Sequence, residues 1–372
     1  MYIPAEKINQ LTKIVANLDI CEHSSLLLLI GEESQINYED LFSKLNELNI
    51  SFFGGIFPGI INERRDYKSG IILKVLPHVA KPVIIQGWEN PDFEIEPFLK
   101  DIPTDDGAVS FFTLVDGLTS EVTTYLQKLY HYYGNAIPFM GAGAGSISLI
   151  QQPCVFTNDG MFQDAAVLFP MKLRMNLGVK HGWEKLAGPI VATRTENNII
   201  HELNWKNAFE VYRDIVEKDA KEKFTDENFF AIAKGYPIGK IREIGENVCR
   251  VPLSLTKEGA LVCLGRVPEN TVLYIMKGTG STLVASAEKA VQKSIEDVDS
   301  TIEHTLVVDC ISRALFLDED LSKELSVIAK TMEETTLSTA PQGVLSLGEI
   351  SSGKNGFLEF YNKTLVIGAL TK

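Results

Sequence analysis

The chain has 372 residues, of which 45% are hydrophobic and 23% are charged, the composition of an ordinary soluble globular protein. Its length allows two domains, each with its own core. The formal net charge of -14 argues against a surface for nucleic acid or an anionic membrane. No apolar run approaches the ~20 residues that a membrane span needs, and residues 1–18 lack a signal-peptide core, so we expect a cytoplasmic protein.

The cysteines and histidines give no sign of a disulfide framework or a structural metal site. The five cysteines lie far apart without a C-x-x-C pair, which favours free thiols in a reducing compartment. The six histidines show no H-x-x-x-H spacing. We therefore predict no structural zinc.

The first half of the chain predicts one order of elements twice. An apolar strand, an amphipathic helix and a strand that runs into glycine are followed by a turn and a returning strand. The first copy covers the segments 25–30, 37–48, 50–55 and 70–76, and the second covers 108–115, 122–133, 136–145 and 165–169. At an offset of 86 residues, Gly55 aligns with Gly141. This order predicts an internal β-α-β-β duplication whose two glycine turns flank one cleft, with chance similarity as the alternative.

The glycine-rich stretch of the second copy has two interpretations. Gly141, Gly143 and Gly145 alternate with alanine, and Ser146 follows them. Bare backbone of this kind either presents N–H groups to a small ligand or lets two elements pack closely. The spacing G-x-G-x-G and the lack of a following amphipathic helix disfavour a dinucleotide site.

The second half predicts a helix, several antiparallel strands and a further strand–helix series. A helix covers 207–218, a turn covers 236–239, and alternating strands cover 242–274. The glycine-bearing junction 277–281 leads into a helix and acts either as an anion site or only as a turn and cap. A strand over 304–311, a helix, and strands over 343–347 and 365–370 end the series.

Short motifs spread over nearly the whole chain resemble those of FIST proteins (F-box and intracellular signal transduction). The N-terminal pattern is visible in Phe53-Gly54-Gly55-Ile56, in Pro138-Phe139-Met140-Gly141 with Gly143, and in the turn Asp159-Gly160. The C-terminal pattern is visible in Ala208-Phe209-Glu210-Val211-Tyr212, Tyr236-Pro237-Ile238-Gly239, Val308-Asp309-Cys310-Ile311-Ser312-Arg313, Gly348-Glu349-Ile350 and Tyr361-Asn362-Lys363-Thr364. The resemblance implies a FIST N-terminal domain over 1–204 and a FIST C-terminal domain over 205–372.

The resemblance also implies a bacterial sensory module that binds a small ligand, proposed to be an amino acid or a similar metabolite. Some relatives look like haem-dependent sensors of gases such as nitric oxide, so no cofactor is expected unless haem is bound. The sequence carries no kinase, cyclase or methyl-accepting segment. We therefore expect the signal to pass to a separate protein, such as a histidine kinase or a cyclase or phosphodiesterase.

Polar candidates for the ligand site lie in the C-terminal motifs. Arg313 would bind a ligand carboxylate and Glu349 its ammonium group, unless the two side chains pair with each other. Cys310 is either a thiolate nucleophile beside Arg313 or a buried, inert thiol. A haem would need an axial histidine, for which His181 and His201 are the candidates.

We predict an α+β protein of two domains with mixed β-sheets flanked by helices, and a cleft between the domains. The predicted ligand-binding residues are Gly55, Gly141, Gly143, Ser146, Cys310, Arg313 and Glu349. The favoured function is ligand sensing, more consistent with a protein that is not an enzyme; the alternatives are a haem-dependent gas sensor and an enzyme acting on a small metabolite.

Overall fold

A computed structural model describes residues 1–90, 92–104, 110–119, 121–225, 227–242, 246–335, 339–352 and 357–372. Within these ranges the fold is α+β, with mixed sheets flanked by helices as predicted. The start of the predicted strand 108–115 lies outside the described residues, and the strand is described from Ser110 onward.

Strands are numbered along the chain. The first thirteen are β1 (Tyr2–Ile3), β2 (Ser24–Gly31), β3 (Phe52–Phe57), β4 (Gly59–Asn62), β5 (Arg65–Tyr67), β6 (Ile71–Pro77), β7 (Val83–Gln86), β8 (Ser110–Asp116), β9 (Phe139–Ala144), β10 (Val155–Thr157), β11 (Gly160–Phe162), β12 (Ala165–Met171) and β13 (Arg174–Lys180). The others are β14 (Glu184–Glu196), β15 (Ile199–Leu203), β16 (Lys206–Asn207), β17 (Ile238–Lys240), β18 (Val248–Leu255), β19 (Leu261–Leu264), β20 (Thr271–Lys277), β21 (Ile302–Cys310), β22 (Pro341–Ser346), β23 (Glu349–Ser351), β24 (Glu359–Tyr361) and β25 (Leu365–Thr371).

Along the chain, the helices connect successive strands. They are α1 (Leu11–Ala16), α2 (Tyr38–Glu47), α3 (Glu96–Leu99), α4 (Val122–Tyr133), α5 (Ala208–Ala220), α6 (Phe229–Ala233), α7 (Gly280–Ile295), α8 (Ile311–Leu317) and α9 (Leu321–Glu333), with short 3-10 helices at Ala5–Gln10 and Asp318–Asp320. The sequence explains where α2 begins, because the Asn37 side chain accepts a hydrogen bond from Asp40 N at 3.1 Å and caps the helix.

Three sheets of six strands share one topology. In each, two parallel strands are joined by helices, and a returning strand pairs antiparallel with the first of them. The parallel pairs are β2–β3, β8–β9 and β21–β22, and the returning strands are β6, β12 and β25. The predicted duplication is therefore present, and the C-terminal part of the chain contributes a third unit that the sequence did not reveal.

The hairpin that follows each parallel pair belongs to the sheet of another unit. Hairpin β4–β5 of the first unit joins β22 of the third, β10–β11 of the second joins β3 of the first, and β23–β24 of the third joins β9 of the second. The exchange is cyclic, so the three units are related by a pseudo-threefold axis.

The inner faces of the three sheets enclose a common core, and helices cover their outer faces. Apolar residues of all three units meet inside, among them Leu29, Phe53, Leu114 and Val308. The outer faces pack separately against α1 and α2, against α3 and α4, and against α7 to α9. Each sheet is thus buried on both sides, which explains the apolar runs in its central strands.

An antiparallel barrel is inserted between the second and third units. Its strands follow the order β14-β20-β17-β18-β19-β15, and pairing of β14 with β15 closes the ring. Helices α5 and α6 pack on its own hydrophobic core. The predicted alternating strands over 242–274 lie here, but β20 pairs with β14 and β17 rather than with β19. The predicted turn 236–239 is also partly wrong, because Ile238–Lys240 is strand β17.

The glycine alignment needs one correction. Gly54, Gly141 and Gly343 occupy equivalent places, since each pairs with the middle of the neighbouring parallel strand. A Cβ atom there would lie 2.0, 2.2 and 1.7 Å from the carbonyl oxygens of Leu28, Thr113 and Val307, respectively. The partner of Gly141 is therefore Gly54 and not Gly55.

The predicted domain boundary stays a prediction from sequence. It falls within the hairpin in which Leu203 of β15 faces Lys206 of β16. Strands from both sides of residues 204 and 205 share three of the four sheets described. Any separation of the two domains must therefore break sheet hydrogen bonds.

Candidate functional site

The three predicted glycines lie inside strands and not in a loop. Gly55 belongs to β3, and Gly141 and Gly143 belong to β9, where all three are buried. Gly143 N donates to Gly348 O at 2.7 Å, and a Cβ on Gly55 would lie 3.2 Å from Ala144 Cβ. Neighbouring backbone segments approach too closely here for larger side chains, which favours the packing interpretation of these glycines.

Ser146 follows β9 on the protein surface. Its Oγ lies 3.0 Å from Ser148 Oγ and accepts a hydrogen bond from Ser148 N at 3.1 Å. These contacts stabilise the local turn and do not bring Ser146 to the C-terminal candidates.

Glu349 and Cys310 are brought together in the buried interior. The Glu349 carboxylate accepts from Ser346 Oγ at 2.9 Å and from Thr364 N at 3.1 Å, and it is also hydrogen-bonded to the Cys310 thiol. Burial raises the pKa of Glu349 to about 8 and raises the pKa of the Cys310 thiol above its ordinary range. A thiol held protonated in this way favours the inert interpretation of Cys310.

Arg313 holds three elements together and does not pair with Glu349. It lies in the first turn of α8, whereas the sequence placed it at the end of a strand. Its Nε donates to Glu324 Oε1 at 3.1 Å, its Nη2 donates to Leu283 O at 2.8 Å, and its Nη1 donates to His181 O. Each guanidinium nitrogen therefore already donates within the protein, and the side chain is fully buried.

Lys363 completes this buried polar cluster. Its Nζ donates to Lys234 O and Ser312 O at 2.7 Å each and lies 5.1 Å from the centre of the Trp183 ring. Burial lowers the pKa of Lys363 to about 7. These contacts tie the third unit to the barrel and to the segment before β14.

A cleft that the sequence did not reveal lies between the barrel and the second unit. It has two adjoining chambers, of about 310 and 250 Å³, and Thr123 and Arg266 line both. One wall is the junction between β8 and α4, at the carboxyl end of a parallel strand, and the other wall is formed by β17 to β20. Carboxyl ends of parallel strands commonly border ligand sites.

The larger chamber, here called the cationic chamber, contains Lys240, Arg242, Arg250, Arg266 and Glu359. Arg242 forms an ion pair with Glu359. Arg250 Nε donates to Arg266 O at 3.0 Å, and its Nη1 donates to Cys249 O at 3.0 Å. Among the described residues, Lys240, Arg250 and Arg266 have no carboxylate partner, which is notable in a chain with a net charge of -14.

The pKa values of this chamber reflect burial and mutual repulsion. Burial lowers the pKa of Arg250 to about 10. Burial lowers the pKa of Lys240 as well, and the neighbouring Arg242 and Arg250 charges lower it further. An anion placed among these groups would relieve the repulsion and raise the pKa of Lys240 again.

The smaller chamber, here called the apolar chamber, is lined mainly by hydrocarbon. Its apolar residues are Leu118, Val122, Leu149, Leu253, Leu264 and Phe360. The Thr119 side chain also lines it; Thr119 is 7% exposed, and its Oγ1 has no hydrogen-bond partner among the described residues. Gly117 forms part of the wall, and a Cβ on Gly143 would lie 3.1 Å from Gly117 Cα. Gly143, one of the glycines predicted to bind the ligand, thus lies directly behind the wall of the cleft.

No sequence motif marks the cleft residues. Lys240, Arg242, Arg250 and Arg266 are spread over β17, β18 and the connections near them, so their clustering depends on sheet pairing. Gly117, which directly follows β8, was the one readable signal, since a strand–glycine–helix junction resembles known anion sites. The corresponding junction before α7 is instead occupied by a capping box between Thr279 and Thr282.

Comparison with protein families finds two domain models that match consecutive parts of the chain. A model of the FIST N domain matches residues 25–206, and a model of the FIST C domain matches residues 208–352. The chain belongs to the FIST family. FIST domains are sensory domains of signal transduction. A search of curated proteins gave no significant match.

In this FIST protein the two histidines chosen from the sequence do not fit an axial haem ligand. His181 is 4% exposed, its Nδ1 accepts from Trp183 N at 2.8 Å, and its Nε2 lies 3.5 Å from the Glu246 carboxylate. His201 lies on β15 with Nε2 3.7 Å from Glu196. A haem iron bound at Nε2 of either histidine would have to move the carboxylate that lies nearby.

Two broader features concern metals and membranes. Within the described ranges, no group of three or more His, Cys, Asp or Glu side chains is arranged to hold a metal ion. Over the same residues, every helix is too short or too polar to cross a bilayer.

Proposed function

We propose that this FIST protein is a cytoplasmic sensor that binds a small carboxylate-bearing metabolite, an amino acid or a similar compound, in the cleft between the barrel and the second unit. The observation that carries the proposal is the cationic chamber, in which three basic side chains lack a carboxylate partner among the described residues. Charge-assisted hydrogen bonds to a carboxylate would satisfy them.

The position of the cleft supports a sensory role. Thr123 and Gln127 of α4 lie on one side of the cationic chamber, and Arg250 and Leu273 of the barrel lie on the other. A ligand that contacts both sides changes the free energy of their relative arrangement. A separate protein, such as a histidine kinase or a cyclase or phosphodiesterase, would read that change.

The buried C-terminal motifs support a binding protein more than an enzyme. The raised pKa of Cys310 disfavours a thiolate nucleophile, and Arg313 already donates within the interior. These residues border no chamber of the cleft. They stabilise the contact between the third unit and the barrel.

The test is a thermal-shift and calorimetric screen with amino acids and related carboxylates. A ligand at 100 times its dissociation constant stabilises the folded state by about 2.7 kcal/mol and raises the melting temperature. Arg266→Gln should weaken the binding at least tenfold. Arg194→Gln, on the outer surface of the barrel, is the matched control and should leave binding unchanged. The proposal fails if no carboxylate stabilises the protein or if both variants bind alike.

If the protein is instead a haem sensor, the candidate axial ligand is His131. His131 lines a cavity of about 450 Å³ beside the cleft, together with Leu126, Tyr130 and Phe360. A Soret band in protein produced with haem, lost in His131→Ala, would support a haem sensor. Absence of the band, or its persistence in the variant, would contradict a role for His131.

A further inference from the structure

The charges of the cationic chamber are unequal. Lys240, Arg242, Arg250 and Arg266 contribute four positive charges, and Glu359 contributes one negative charge. Glu359 is already paired with Arg242, whose Cζ also lies 5.9 Å from the centre of the Phe357 ring. Among the described residues, the chamber therefore offers several donors to an anion and no free carboxylate to a cation.

A zwitterionic ligand would place its ammonium group unfavourably. Within the part of the chamber that the structure describes, that group could reach a negative charge only by displacing Arg242 from Glu359, and it would lie near Lys240 and Arg250. Like charges repel more strongly at a protein surface than in bulk water, because the effective dielectric constant is lower there. A carboxylate without an ammonium group avoids this cost.

The apolar chamber determines what the rest of the ligand looks like. Away from Arg266, which lines both chambers, its leucines, Val122 and Phe360 disfavour a second charged group because desolvating an unpaired charge is expensive. Thr119 Oγ1 has no hydrogen-bond partner in the described part of the chain, so one hydrogen-bonding group on the ligand would remove the cost of a buried, unpaired hydroxyl.

Resting on the proposed function, we infer that the ligand is an organic anion without an ammonium group. Its carboxylate lies in the cationic chamber, and its apolar body, with one neutral polar group, fills the apolar chamber. Branched or aromatic 2-oxo acids and hydroxy acids have this chemistry, whereas the corresponding amino acids do not.

Matched ligand pairs test this inference by calorimetry at pH 7. The pairs are L-leucine with 4-methyl-2-oxopentanoate and L-phenylalanine with phenylpyruvate, which differ only at the ammonium position. The 2-oxo acid of at least one pair should bind at least tenfold more tightly than its amino acid. Equal or tighter binding of the amino acids overturns the inference and leaves the proposed function standing. Binding of neither member of any pair, with no stabilisation by other carboxylates, overturns both.

Two substitutions test the roles of the two chambers separately. Glu359→Gln should leave the affinity for the 2-oxo acid unchanged or increase it severalfold, because it removes the single negative charge. A tenfold loss would show that Glu359 binds the ligand and would overturn the inference. Leu264→Asn should weaken binding of 4-methyl-2-oxopentanoate more than binding of pyruvate, which has no branched body. An equal loss for both ligands would place the body elsewhere.

Discussion

Glu349 lies fully buried with hydrogen bonds but, among the described residues, without an ion-pair partner. Desolvation outweighs those hydrogen bonds and the nearby Arg313 charge, so its pKa is raised to about 8. The Glu349 carboxyl group, which belongs to the FIST motif Gly348-Glu349-Ile350, is therefore protonated in the folded protein near neutral pH.

This protonation predicts a pH-dependent stability. The unfolded chain loses the Glu349 proton near pH 4.5 and the folded protein near pH 8, so unfolding releases a proton between these values. The stability contributed by Glu349 is present below pH 4.5 and is lost as the pH rises towards 8. Relative to Glu349→Gln, the wild-type free energy of unfolding should fall with pH by up to about 1.4 kcal/mol per unit.

Urea unfolding between pH 5 and 7 measures this difference. The upper limit avoids Lys363, whose lowered pKa makes stability rise with pH above about 7. Glu39→Gln, on the exposed surface of α2, is the control. The same pH dependence in the wild type and in Glu349→Gln would contradict the raised pKa.

At the scale of single elements, the parallel strand pairs depend on one glycine each. A Cβ at Gly54 would lie 2.0 Å from Leu28 O, a backbone atom that cannot move without breaking the sheet. A Cβ at the neighbouring Gly55 would meet the Phe57 ring at 3.1 Å, which can rotate, and Ala144 Cβ at 3.2 Å, which would have to move by only a few tenths of an ångström. The two adjacent glycines therefore differ in the kind of neighbour they face.

We expect Gly54→Ala to destabilise the protein by about 3 kcal/mol or more, and Gly55→Ala by clearly less. The equivalent changes Gly141→Ala and Gly343→Ala should resemble Gly54→Ala, because their Cβ atoms would also meet backbone oxygens. Denaturant midpoints of the four variants provide the measurement. A cost for Gly55→Ala as large as that for Gly54→Ala would disprove the explanation.

Local elements were predictable where short-range pattern decides them. The apolar run 25–30 became β2, and Asn37 caps α2 as its position predicts. The third unit escaped notice because α8, a 3-10 turn and α9 replace the single helix of the other units. The cationic chamber escaped for another reason, since the pairing of β17 with β18 and β20 brings its residues together from distant positions.

At the scale of the whole molecule, the exchanged hairpins make the units interdependent. Gln342 of β22 faces Asn62 of β4, and Ile350 of β23 faces Gly141 of β9. Residues 1–206, which include the part matched by the FIST N domain (25–206), therefore lack one partner strand of β4 and one partner strand of β9. The two family models meet between residues 206 and 208, whereas strands from both sides of that point share sheets in the fold.

We expect a fragment of residues 1–206 to unfold without cooperativity, unlike the full chain. The missing strands leave inner and outer faces of two sheets exposed, including Ile61 and Met140. Near-ultraviolet circular dichroism and thermal unfolding of the fragment measure this. A sharp transition with native-like aromatic signals would show that the FIST N domain folds alone.

The cyclic exchange of hairpins also has a consequence during synthesis on the ribosome. Strand β4 is made early, yet its neighbour β22 follows about 280 residues later. At cellular translation speeds of about 5–20 residues per second, this edge of the nascent chain waits roughly 15–60 s for its neighbour. An unpaired edge is a template for aggregation, so chaperone demand should be greatest just before the last strands emerge.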